Sequence, residues 1–122
     1  MKIYKGAYSE YAIAAFALFA KLGYPTLEEI RKLHVSKSER EDLKAAYYTF
    51  EILCSSGATE TVRAVKTIYR PCYENSDHIP RAVFRERLVL YAIDNAYSEE
   101  SVYRMLARAR YKFAEKRGLR VG

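Results

Sequence analysis

SEESVYRMLARARYKFAEKRG, residues Ser98 to Gly118, reads as one helix with a start, two faces and a stop. Ser98 is a natural N-cap, and Glu99 and Glu100 set negative charge against the positive end of the helix. Lys116 and Arg117 occupy the last turn, and Gly118 stands where a left-handed C′ residue ends many helices. Val102, Leu106, Ala109 and Phe113 recur at helical spacing and predict a buried stripe. A second face carries Ser101, Arg104, Arg108 and Lys112, with Arg110 and Lys116 at its edges. Solvation is the default reading of a basic helical face. The segment that precedes this one gives the face a second reading.

That segment, RERLVLYAIDNAY, predicts a helix ending near Ala96, with almost no loop before the Ser98 cap. Two helices joined so tightly must turn sharply, as in a helix-turn-helix. Small Ala92 ahead of the cap, with Val102 and Leu106 after it, permits close packing of the pair. Glu99, Glu100, Tyr103 and Arg104, with Ser101 beside them, then project outward. In a reader of duplex DNA, side chains at such positions reach base edges in the major groove.

These residues resemble the last helix of the sigma-factor region four type of helix-turn-helix. The likeness is to phage-borne and mobile-element regulators whose chains end in a Ser-x-x-(Ser/Thr)-Val-Tyr-Arg helix, a basic Ala-Arg pair and a closing Arg-Gly-Leu. The matching positions are Ser98, Ser101, Val102, Tyr103, Arg104, Ala107, Arg108, Ala109, Arg110, Phe113, Arg117, Gly118 and Leu119. They lie within residues 81–120, about a third of the chain. Asn95 stands where the family usually has leucine, and Ala96 where it usually has glycine, so the first helix is expected to pack or turn differently. The resemblance implies a transcriptional regulator that binds double-stranded DNA. Arg104, Arg108 and Lys112 would contact phosphates, with Arg110 and Lys116 at the edges, while Ser101, Tyr103 and Arg104 approach bases. RNA polymerase or another protein, and a second copy of the chain, are the further partners it would entail.

The remaining sequence predicts an all-α fold: a compact orthogonal domain of about six helices. Half of the 122 residues are apolar and twelve are tyrosine, enough to build a core without staples. Only five glycines and three prolines interrupt abundant helix formers, and no alternating strand pattern stands out. Of the formal charge of +6, residues 98–122 carry +4, so the cationic excess is concentrated where a polyanion would meet the last helix.

One domain over residues 1–122 is expected: a helical core over 1–70, a loop over 71–80 and the basic pair over 81–122. The first helix should run from about Ser9 to Leu22, apolar nearly all round and central in the core. Thr26 with Glu29, and Ser36 with Glu39, form capping boxes that open a short second helix and a third to about Cys54. A fourth spans about Thr59 to Tyr69, and PCYENSDHIP forms the loop. The stretch TLEEIRKLHVSKSEREDL sketches another helix-turn-helix. It lacks one residue between Ile30 and Leu33, which turns the apolar contacts by about 100° and leaves two structural helices.

Neither metal, cofactor nor catalytic chemistry is expected. Cys54, Cys72, His34 and His78 offer no second close pair to complete a tetrahedral site, and Cys54 reads as a small buried hydrophobe. No nucleophile motif or glycine-rich phosphate loop is present in the sequence. The most apolar run, Tyr11 to Leu22, is too short to span a bilayer, and a cytoplasmic protein is expected. Most of Tyr47, Tyr48, Tyr69, Tyr73, Tyr91, Tyr97, Tyr103 and Tyr111 should sit in the core or at its boundary, with Tyr103 and Tyr111 the candidates for stacking on bases. The leading expectation is a small helical DNA-binding regulator. The alternative is a protein-binding adaptor or inhibitor from a mobile element, acting on a nucleic-acid enzyme.

Overall fold

Two helices of this chain start from reciprocal hydroxyl–carboxylate caps. Thr26 Oγ1 accepts from the Glu29 amide at 3.2 Å while Glu29 Oε1 accepts from the Thr26 amide at 2.8 Å, and Ser36 and Glu39 repeat the arrangement. In the computed structural model, which describes residues 5–72 and 79–119, with only the backbone of 5–7, the elements are all helical. They are α1 (Lys5–Lys21), α2 (Leu27–Lys32), α3 (Lys37–Ser55), α4 (Thr59–Ile68), α5 (Arg81–Asp94) and α6 (Glu99–Arg117). None of them is long and apolar enough to cross a membrane. The expected residues Tyr73 and His78, with most of the 71–80 loop, lie outside the described residues.

Four helices end in the same hydrogen-bonded figure, α1 among them, where Tyr24 donates to the Phe19 carbonyl and Gly23 to Ala20. In α3 the Ala58 amide donates to the Leu53 carbonyl and Gly57 to Cys54, and in α6 Leu119 donates to Ala114 and Gly118 to Glu115. All three glycines have positive φ, the left-handed conformation that this ending requires. Helix α5 ends the same way without a glycine. Tyr97 donates to Ala92 at 2.9 Å and Ala96 to Ile93 at 3.3 Å, with Ala96 held at φ 57°. Alanine therefore takes the turn that glycine would make more cheaply, because its Cβ crowds the neighbouring carbonyl.

Arginines close two other helix ends. Arg40, in the first turn of α3, donates to the carbonyls of Ile30 (2.6 Å), Arg31 (2.9 Å) and Leu33 (2.8 Å) at the end of α2. Arg87 of α5 likewise donates to Ile68 and Arg70 where α4 ends. Each guanidinium adds donors to the carbonyls left at a helix end, although Ile30 also accepts from the Leu33 amide at 3.2 Å, and sits at the negative end of the helix dipole.

Helix α6 packs against α1, α3, α4 and α5, so the chain's last long segment is a central member of the compact fold. Its predicted stripe is buried as read: Val102, Leu106, Ala109 and Phe113 are fully enclosed. The core is organised around Phe16 of α1, whose ring lies 5.5 Å from Phe113, 5.8 Å from Phe50 and 6.2 Å from Tyr69. These are offset and edge-on contacts within the range aromatic pairs favour.

Several local expectations are corrected. Helix α1 begins at Lys5 rather than Ser9, and α5 stops at Asp94 because Ala96 reverses the chain. Cys54 is exposed: it follows the buried Leu53 by one residue, a rotation of about 100° that carries it out of the core. Thr49, on the inner face of α3, is fully buried and donates to the Ala45 carbonyl at 2.7 Å, which removes the cost of enclosing its hydroxyl.

Candidate nucleic-acid interface

Four residues, Asn95 to Ser98, connect α5 to α6. Ser98 Oγ accepts from the Ser101 amide at 3.1 Å and donates to Ser101 Oγ at 2.9 Å. Ser101 is thus half-buried and engaged in the cap, so its hydroxyl is occupied where α6 begins.

Beyond that cap the outer surface of α6 carries two parallel ridges at four-residue spacing. One is Tyr103, Ala107 and Tyr111, all exposed; the other is Arg104, Arg108 and Lys112. Tyr103 and Tyr111 keep 40% and 44% of their surface in solvent, too much for core residues. Arg108 is exposed and has no ion-pair partner among the described residues. Arg104 meets Glu100 one turn earlier at 2.5 Å, both side chains being about three-quarters exposed. Such a pair is worth about 0–1 kcal/mol, so a phosphate can displace the carboxylate at little cost. Lys112, half-buried, is held 2.9 Å from Glu115. At the front of the helix Glu99 is engaged by Arg85 of α5 at 3.2 Å, which compensates the acidic first turn.

The two edge cations differ. Lys116 is exposed and borders a cleft of about 300 Å³ that includes Lys44, Tyr48 and Arg117. Arg110 turns toward the body of the protein instead. It is half-buried, and it donates to Tyr69 Oη at 2.6 Å and Ser9 Oγ at 3.2 Å. The Tyr69 hydroxyl beneath it is pushed above its usual range by burial, with the nearby guanidinium pulling the other way. Arg117 is likewise engaged, 2.7 Å from Asp42 of α3.

Of the seven positions read from the sequence, Tyr103, Arg104, Arg108 and Lys116 are therefore exposed, while Ser101, Arg110 and Lys112 are half-buried. Sequence reading overlooked three residues beside this surface. Arg81 and Phe84 of α5 and Tyr69 at the end of α4 adjoin Tyr103 and Arg110 around one groove. Their periodicities assign them to other helices, so only the packing unites them. Compared with known protein families, curated proteins and solved structures, the chain matches none.

Proposed function

We propose that this chain is a small helical DNA-binding protein, a transcriptional regulator of phage or mobile-element type that meets duplex DNA through the outer face of α6. The observation that carries the reading is the exposed ridge of Arg104, only loosely paired, and Arg108, without an ion-pair partner among the described residues, on a helix launched directly from the α5 turn. Arg104, Arg108, Lys112 and Lys116 would neutralise phosphates, and Tyr103 with Arg104 would approach base edges. If four phosphates are neutralised, log affinity falls against log salt with a slope of roughly −3.6.

The test is a mobility-shift series on duplex DNA at several salt concentrations, comparing wild type with an Arg104→Ala/Arg108→Ala variant. The reading requires binding that weakens with salt and a slope shallower by roughly 2 in the variant. Absent or salt-insensitive binding by folded wild-type protein overturns it.

A second reading, a protein-binding adaptor or inhibitor acting on a nucleic-acid enzyme, is favoured by a different observation. Glu100 and Glu115 partly neutralise the cationic ridge, while Tyr103 and Tyr111 stay exposed beside it. Tyrosine and arginine together are the composition of protein-interface anchors. Salt-dependent retention on heparin with co-purifying nucleic acid favours the first reading, and a stoichiometric protein partner favours the second.

A further inference from the structure

A groove of about 490 Å³ opens between the N-terminal half of α1, the start of α5 and the middle of α6. That volume falls within the range of small-ligand sites. Its wall is aromatic. Tyr69 and Phe84 stack at 6.0 Å with 17° between their planes, and Phe84 meets Tyr103 at 6.1 Å, so a file of rings runs from the buried core to the solvent. Arg81, exposed, and Arg110, half-buried, supply cations to the same groove.

Arg110 is the informative residue. Its hydrogen bonds go to two neutral oxygens, and among the described residues no carboxylate pairs with it. A partly desolvated guanidinium without a counter-ion gains from an arriving anion more than a fully solvated one does. Glu10 and Ser9 also line the groove: Ser9 Oγ already accepts from Arg110, and the Glu10 carboxylate is able to accept from a ligand N–H. An aromatic carboxylic acid would leave the Glu10 carboxylate facing another anion. A nucleobase has N–H groups to give it, a flat face to lay on Phe84 and Tyr103, and a phosphate for the arginines.

We propose that this groove holds a single nucleotide, its base against Phe84 and Tyr103 and its phosphate on Arg110 and Arg81. The groove shares Tyr103 with the proposed duplex-facing surface, but Arg110, Arg81 and Phe84 belong to the groove and not to that surface. The nucleotide can come free from solution or as one unit of a single strand, and these sources share the same chemistry.

Titration of the isotopically labelled protein with thymidine 5′-monophosphate, followed by NMR, tests it. The expected result is a saturable one-to-one shift of the Tyr69, Phe84 and Tyr103 ring signals. Thymidine alone and inorganic phosphate alone should bind about tenfold more weakly, since each lacks one half of the contact. Arg81→Ala and Tyr103→Ala, both at exposed positions, should each weaken binding by about tenfold with an unchanged circular dichroism spectrum, while Lys32→Ala, at an exposed position on α2, leaves it unaltered. Tighter binding of a short oligothymidylate assigns the site to a strand, and equal binding assigns it to the free nucleotide. No saturable shift up to roughly 10 mM, equal affinity for phosphate and nucleotide, or indifference to both variants overturns the proposal.

Discussion

Arg117 at the last position of α6 lies 2.7 Å from Asp42 in the first half of α3, joining residues 75 apart in sequence. The Tyr11 hydroxyl of α1 donates to the same carboxylate oxygen at 2.7 Å, so three helices meet at one charge. The hydrogen bond to Asp42 is the main reason the Arg117 guanidinium is held even more firmly protonated than usual. Both ion-paired side chains are less than a quarter exposed, at 23% and 16%, so solvent screens the pair only in part. Arg117→Ala leaves Asp42 with one partner and should cost about 1–2 kcal/mol. A melting temperature lower by roughly 3–8 °C, measured by circular dichroism, is the expected outcome. An unchanged melt would show the pair to be a surface ornament.

Alkaline pH should loosen the fold through its tyrosines. Burial raises the hydroxyl pKa of Tyr24, Tyr69 and Tyr91, and for Tyr91 a hydrogen bond of 2.6 Å to Glu60 Oε2 adds to it. A pKa raised in the folded state means that the unfolded chain ionises first. The stabilisation is complete below about pH 10, the unfolded value, and declines as pH climbs toward the higher folded values. Urea midpoints should therefore fall between about pH 10 and 12, less steeply in Tyr91→Phe. A spectrophotometric titration of the native protein should show some tyrosines ionising late.

Ala96 is the cheapest place to stabilise the chain. Its φ of 57° is a conformation that costs an L-residue roughly 1–2 kcal/mol and glycine little. Ala96→Gly should gain up to about 1 kcal/mol once the extra freedom of the unfolded chain is deducted. Ala96→Val should lose more than that, since a branched Cβ worsens the clash. Chemical denaturation of the three proteins side by side decides it, and a destabilised glycine variant would contradict the turn as described.

Arg40 should govern the short helix α2. With one guanidinium bonded to three carbonyls, of which only Ile30 keeps a backbone donor, Arg40→Ala exposes the end of a six-residue helix that is marginal alone. The expected loss is about 1.5–3 kcal/mol. Amide exchange should quicken first around residues 27–33, ahead of α6. Uniform acceleration across the chain would mean that α2 does not open separately.

The helices were legible because their signals are local. Thr26 with Glu29, Ser36 with Glu39, and Ser98 with Gly118 mark boundaries through bonds formed within one or two turns. The buried stripe of α6 was legible for the same reason, since a period of 3.6 residues places Val102, Leu106, Ala109 and Phe113 on one side whatever they pack against. Cys54 was misjudged because a single residue's rotation separates it from Leu53, and apolar neighbours in sequence do not say where a core ends.

The amino-acid order by itself determined six helices, their caps, and the concentration of cations on the last of them, because propensity, capping and charge act over a few residues. Tertiary packing alone decided which groups each cation meets. The helical period already sets Arg108 and Arg110 about 200° apart, with Arg110 beside the buried stripe, and packing then gives Arg110 the Tyr69 and Ser9 oxygens to bond. That choice depends on α1 and the end of α4 arriving beside α6 from 101 and 41 residues away, and such contacts leave no periodic trace in the chain.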